Sequence, residues 1–147
     1  MKYAHTNIAA KDWKKLVDFY VSVFGCKQKP PERNLSGEWL DNATGLSNAA
    51  LKGIHLILPG YGDAGPTLEI FTYDEMVEAD PIMANFKGIT HIAFLVDDVR
   101  SVYEKAMENG GKALGKVTVK KVENVGLLTF VYIRDPEDNI VEIQSWG

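Results

Sequence analysis

Two histidines and two glutamates stand out because their types and spacing suit a divalent-metal site. His5 and His91 lie 86 residues apart. The same offset relates Asp12 to Asp98, Leu16 to Val102, Tyr20 to Ala106 and Gly25 to Gly111. Glu69 sits in Thr67-Leu68-Glu69-Ile70-Phe71 and Glu142 in Ile140-Val141-Glu142-Ile143-Gln144, each flanked by aliphatic residues. A carboxylate inside such a strand needs a partner, because an unpaired buried charge is costly. A single strand histidine is an ordinary polar residue. The repetition is what sets these four apart. Two imidazoles and two carboxylates converging inside a sheet would bind a divalent ion, with Zn, Ni, Co, Mn and Fe all compatible with mixed N and O ligation.

These donors must be positioned by repeated elements. Residues 12–24 and 98–109 carry apolar side chains at helical spacing, and each run stops at glycine, Gly25 and Gly110-Gly111. Residues 3–10 and 90–96 precede them as strands. Side chains alternate faces along a strand, so Ile8, with Ile92, Phe94 and Val96, turns toward the helices. His5 and His91 then point away from the helices. The rest of each repeat reads as β: residues 49–58 and 67–72 in the first, 116–122, 126–134 and 139–146 in the second. The strong turns are Pro59-Gly60-Tyr61-Gly62 and Asp135-Pro136-Glu137-Asp138-Asn139. Residues 27–48 are weakly patterned and are expected to be irregular, absorbing the longer His-to-Glu spacing of the first repeat. Residues 74–88 read as a linker, with a short helical turn over 75–79.

Composition narrows the function classes. The chain has 147 residues, 46% hydrophobic and 24% charged, with a net charge of −4. A mildly acidic chain without a basic stripe argues against nucleic-acid binding. No apolar run approaches the roughly 20 residues of a membrane helix, and no secretory leader is evident, so a cytoplasmic location is expected. Cys26 is the only cysteine, which excludes an intrachain disulfide and a cysteine-based zinc site. It is expected to be inert. His55 is a candidate pocket residue, and Trp39, Phe71 and Tyr132 are candidate pocket walls.

The sequence resembles the vicinal oxygen chelate superfamily, which includes glyoxalase I, methylmalonyl-CoA epimerase, extradiol dioxygenases and the fosfomycin and bleomycin resistance proteins. The resemblance rests on His5-Thr6-Asn7-Ile8, Leu68-Glu69-Ile70, Thr90-His91-Ile92-Ala93-Phe94 before Val96-Asp97-Asp98-Val99, and Tyr132-Ile133-Arg134-Asp135-Pro136 leading to Asn139-Ile140-Val141-Glu142. It covers nearly the whole chain. It implies an α+β fold of two tandem βαβββ modules, residues 1–73 and 89–147, forming a cupped, barrel-like mixed sheet. The His, Glu, His, Glu order is that of glyoxalase I, so His5, Glu69, His91 and Glu142 match its four metal ligands.

The resemblance also implies a mechanism. A small substrate with two adjacent oxygens chelates the metal, and a ligating carboxylate removes a carbon proton to give an enediolate. Glu142 is the first choice for that base and Glu69 the second. A homodimer is implied as well, since sheets of this superfamily are often completed across two chains. Several features depart from glyoxalase I and its relatives. The arginine expected four residues after the first ligand is Ala9, and the asparagine four residues after the second is Tyr73, which weakens glutathione as cosubstrate. Epimerases usually carry Gln where this chain has Glu69. The usual glycine of the last turn is Asp138, a residue type that tolerates the left-handed conformation. The favoured function is a metal-dependent isomerase or lyase of the glyoxalase I type. The alternatives are an epimerase, an extradiol-type dioxygenase and a metal-free drug-binding protein.

Overall fold

A computed structural model describes all residues, Met1 to Gly147. The chain divides into two compact units, Met1–Ala79 and Asp80–Gly147. No helix is long and apolar enough to cross a membrane.

The first unit runs β1 (His5–Ala9), α1 (Trp13–Phe24), β2 (Lys27–Ser36), α2 (Glu38–Thr44), β3 (Ala50–Ile57) and β4 (Thr67–Tyr73). Its mixed sheet has the order β1-β4-β3-β2, with β1 parallel to β4 and the other pairs antiparallel. Helix α1 begins where the Asp12 carboxylate accepts the Lys15 amide at 3.1 Å. It ends on left-handed Gly25, φ 71°, with the Gly25 and Cys26 amides bonded to the Val21 and Tyr20 carbonyls. Glycine takes this conformation without a Cβ penalty. The expected face of Leu16, Val17, Tyr20, Val23 and Phe24 is buried, and Phe19 is buried with it. Each such aliphatic or aromatic side chain contributes about 1.5 to 3 kcal/mol on leaving water. The helix packs on β3 and β4, where Ile54, Leu56, Leu68 and Ile70 are buried.

The second unit repeats this plan with β5 (His91–Leu95), α3 (Val99–Glu108), β6 (Lys112–Ala113), β7 (Thr118–Val122), β8 (Gly126–Arg134) and β9 (Ile140–Trp146). Here β5 is parallel to β9, β9 is antiparallel to β8, and β6 and β7 both pair with β8. Asp98 caps α3 by accepting the Arg100 and Ser101 amides at 2.9 and 3.2 Å. The helices, central strands and two-unit repeat thus follow the sequence pattern, and each unit is a βαβββ module.

Two expectations are corrected. Residues 27–48 are not irregular: they form the ten-residue strand β2 and the short helix α2. The strand is an edge strand and therefore polar, and prolines sit where it leaves register. Helix α2 buries only Leu40, which packs with Ala49, Leu51 and Phe71. By strand parity that cluster lies on the sheet face opposite α1, the face that carries Glu69. The second correction concerns residues 75–79, which form no helical turn. No helix lies between Tyr73 and His91.

The two units also share a detail the sequence did not suggest. The outer strand of each sheet bulges at the same place. Residues 30–32 of β2 lie opposite Ile54 alone, between the Lys29–His55 and Arg33–Gly53 pairs. Residues 114–117 separate β6 from β7 opposite Val131 and Tyr132. Each outer strand thereby carries extra residues beside the position occupied by His55 in one unit and Tyr132 in the other.

Candidate metal centre

In each unit the structure brings one predicted histidine against one predicted glutamate. The His5 Nε2 lies 3.3 Å from Glu69 Oε2, and the His91 Nε2 lies 3.2 Å from Glu142 Oε2. The glutamates are matched in environment, with side chains 13% and 14% exposed. Strand register explains the equivalence. Asn7, two residues after His5, is opposite Glu69, and Ala93, two residues after His91, is opposite Glu142. Each histidine therefore reaches the carboxylate diagonally across a parallel strand pair, on the face away from the module's main helix.

The third strand of each module adds a partner. His55 is opposite Glu69 and Tyr132 is opposite Glu142. The His55 Nε2 lies 2.9 Å from Glu69 Oε1, and its Nδ1 lies 2.9 Å from Thr67 Oγ1. Burial holds the His55 imidazole below its ordinary pKa, against the pull of the Glu69 carboxylate, and Arg33, His5 and Lys29 add to the lowering. The Tyr132 hydroxyl donates to Glu142. Burial, then the Glu142 charge and this hydrogen bond, push the phenol above its usual pKa. The His91 and Tyr132 rings lie 5.0 Å apart. The position of His55 on the carboxylate, rather than merely near it, was not read from sequence. The signal was present in the parity of β3, which places residue 55 on the Glu69 face once the hairpin register is known.

The remaining candidates separate. Trp39 is exposed on α2, while Phe71 belongs to the Leu40 cluster and its ring centroid lies 6.0 Å from that of His55. Cys26 is buried, and burial pushes its thiol up to about 12.

The donor chemistry fits a divalent ion. Two ligands each about 2.1 Å from one ion lie about 3.0 to 3.4 Å apart at octahedral or tetrahedral angles. The His–Glu separations in both units fall in that range. No group of three or more His, Cys, Asp and Glu side chains is arranged to hold a metal ion, so each unit presents a pair.

Solved structures share the fold. A glyoxalase family protein from Bacillus cereus is 19% identical, with a TM-score of 0.79, covering 99% of this chain and 93% of that one. A glyoxalase/bleomycin resistance protein/dioxygenase family enzyme from Burkholderia phytofirmans is 14% identical, with a TM-score of 0.64 and all of both chains covered. A glyoxalase family protein from Enterococcus faecalis is 22% identical, with a TM-score of 0.62, covering 97% and 96%. No curated protein matches the sequence. Residues 2–143 match the family signature itself. On that match, the chain belongs to the glyoxalase/bleomycin resistance protein/dioxygenase superfamily.

Proposed function

We propose that the protein is a metal-dependent isomerase or lyase of the glyoxalase I type, acting on a small substrate with two adjacent oxygens. The observation that carries this reading is the register-equivalent His–Glu pair in each module, with both carboxylates shielded to the same degree. His5 and Glu69 supply two ligands to one divalent ion, and His91 and Glu142 supply two more. When bound, the ion acts as a Lewis acid toward the chelating oxygens of the substrate.

The chain's own residues do the rest. Glu142 removes a proton from the carbon beside the substrate carbonyl and returns it to the neighbouring carbon. Glu69 is the second candidate for that step. Tyr132 orients Glu142 by donating to it, and its raised pKa keeps the phenol protonated for that purpose. Glutathione is not the favoured cosubstrate. Ala9 is exposed and offers no cation, and Tyr73 packs against the Leu40 cluster. The reading includes a cytoplasmic location and a homodimer, with β1 and β5, the end strands of the two sheets, as edges for pairing across chains.

Elemental analysis of the purified protein and solvent-proton exchange into an α-hydroxycarbonyl or acyl-thioester substrate test the proposal together. One equivalent of divalent metal is expected, lost in the His5→Ala, His91→Ala double variant. Glu142→Gln should lower exchange on the order of 100- to 10,000-fold while retaining most of the metal. Equal metal content in the wild type and the double variant would reject the site. Full exchange in Glu142→Gln would transfer the base role to Glu69.

A further inference from the structure

The two modules keep the same His–Glu pair but hold the carboxylate differently. Glu69 is held at both oxygens. Its Oε1 takes the His55 Nε2 at 2.9 Å, while Oε2 faces His5 at 3.3 Å and the Asn7 amide at 3.4 Å. A carboxylate only accepts, so His55 Nε2 carries a proton, and Nδ1 shares a hydrogen bond with the Thr67 hydroxyl at 2.9 Å. The His55 ring is also fixed laterally, edge-on to His5 and Phe71 with centroids 6.0 Å away in each case.

Strand register shows which residues occupy these places in the other module. Asn7 corresponds to Ala93, His55 to Tyr132 and Thr67 to Ile140. Every member of the network around Glu69, other than the histidine of the pair, is thus replaced. Ala93 and Ile140 offer no side-chain hydrogen bond. Glu142 is left with one donor from β8, a phenol whose ring has no counterpart of the Thr67 anchor.

We propose that His55 is a positioning residue, which pins Glu69 by one oxygen as a permanent ligand and thereby assigns proton transfer to Glu142. The assignment rests on the metal-dependent reading above. A base must turn between cation and substrate, and a carboxylate tied at Oε1 to a doubly bonded imidazole does not turn. In the catalysed step the substrate C–H proton passes to the Glu142 carboxylate, the electron pair stays on the substrate, and the proton returns to the adjacent carbon. Glu69 takes no part in the proton transfer.

The test uses the full chain, its variants His55→Leu and Thr67→Val, and cobalt(II) as the probe. In metal-free wild type, long-range proton–nitrogen NMR should show His55 protonated at Nε2. Cobalt affinity by calorimetry should fall about 10- to 100-fold in His55→Leu and by a smaller factor in Thr67→Val. The Glu142→Gln loss of proton exchange should shrink at least about tenfold in the His55→Leu background, because Glu69 is then released to act as base. Thr67→Val carries the test if His55→Leu does not fold. A His55 ring protonated at Nδ1 alone would overturn the proposal, as would unchanged cobalt affinity in both variants. An equal Glu142→Gln loss in both backgrounds would also overturn it. Cobalt binding abolished in His55→Leu as completely as in His5→Ala would make His55 a ligand instead. A wild type that binds no cobalt would reject the metal-dependent reading, while the NMR result separately reports the His55–Glu69 contact.

Discussion

Asp135→Ala should be among the most damaging single changes outside the metal-ligand candidates. Its side chain is fully buried at the turn between β8 and β9. Oδ1 accepts the Glu137 amide at 2.9 Å, the Asn139 amide at 3.0 Å and the Asn139 side chain at 3.1 Å, and Oδ2 accepts that side chain again at 3.0 Å. Alanine would leave three donors without their acceptor in a site from which the carboxylate excludes water. Hydrogen bonds to a charged group are worth about 1.5 to 3 kcal/mol net, and bonds sharing one acceptor do not add fully. We therefore expect a loss of about 3 to 5 kcal/mol. For a chain of this length that is a fall in Tm on the order of 10 to 15 °C. Strand β9 starts at Ile140, so the same change loosens the placement of Glu142 two residues on. Differential scanning calorimetry gives the Tm, and cobalt titration reads the site. A fall in Tm below about 3 °C would show that water re-satisfies the donors, and would refute the view that this carboxylate anchors the turn.

Two further outcomes follow from packing and burial. In Gly53→Ala the new Cβ would lie 2.0 Å from the Ile70 carbonyl oxygen and 2.8 Å from the Phe71 Cα, backbone that cannot step aside; urea unfolding should show a loss of at least about 3 kcal/mol, or no soluble protein. Cys26, raised from 9.0 to about 12, favours folding fully below pH 9 and loses that contribution as pH rises toward its folded value. Between pH 9 and 11 the wild type should lose up to about 1.4 kcal/mol per pH unit more than Cys26→Ala, and parallel stability profiles would contradict this.

The sequence was most legible where periodicity and repetition coincide. Helices α1 and α3 announce themselves by apolar spacing and terminal glycines, and the structure moves their ends by one residue or so. Asp138 takes the left-handed turn position expected of it, with φ 68°. Helix α2 was illegible for a physical reason. It has seven residues, no side-chain cap and one buried position, so its stability comes from Leu40 docking on Phe71 rather than from a local pattern. Strand β2 hid behind Lys27, Lys29, Glu32 and Arg33, because an edge strand has little apolar face to display. Residues 27–48 do not absorb all of the extra spacing of the first module. The β3–β4 turn takes part of it, since His55 to Glu69 spans 14 residues where Tyr132 to Glu142 spans 10. The role of His55 was unreadable without the register of that hairpin.

The paired bulges in the outer strands have a consequence for how the protein behaves in concentrated solution. A long, straight, unpaired strand edge is a template on which another chain can add a strand. In one sheet that border is broken at Pro30 and Pro31, which have no amide hydrogen to offer. In the other it is split between β6 and β7 and lined with Lys112, Lys116, Lys120 and Lys121. Neither border offers an uninterrupted row of donors and acceptors longer than a few residues. The same irregularity that flanks His55 and Tyr132 thus also makes these two borders poor templates for edge-to-edge strand addition.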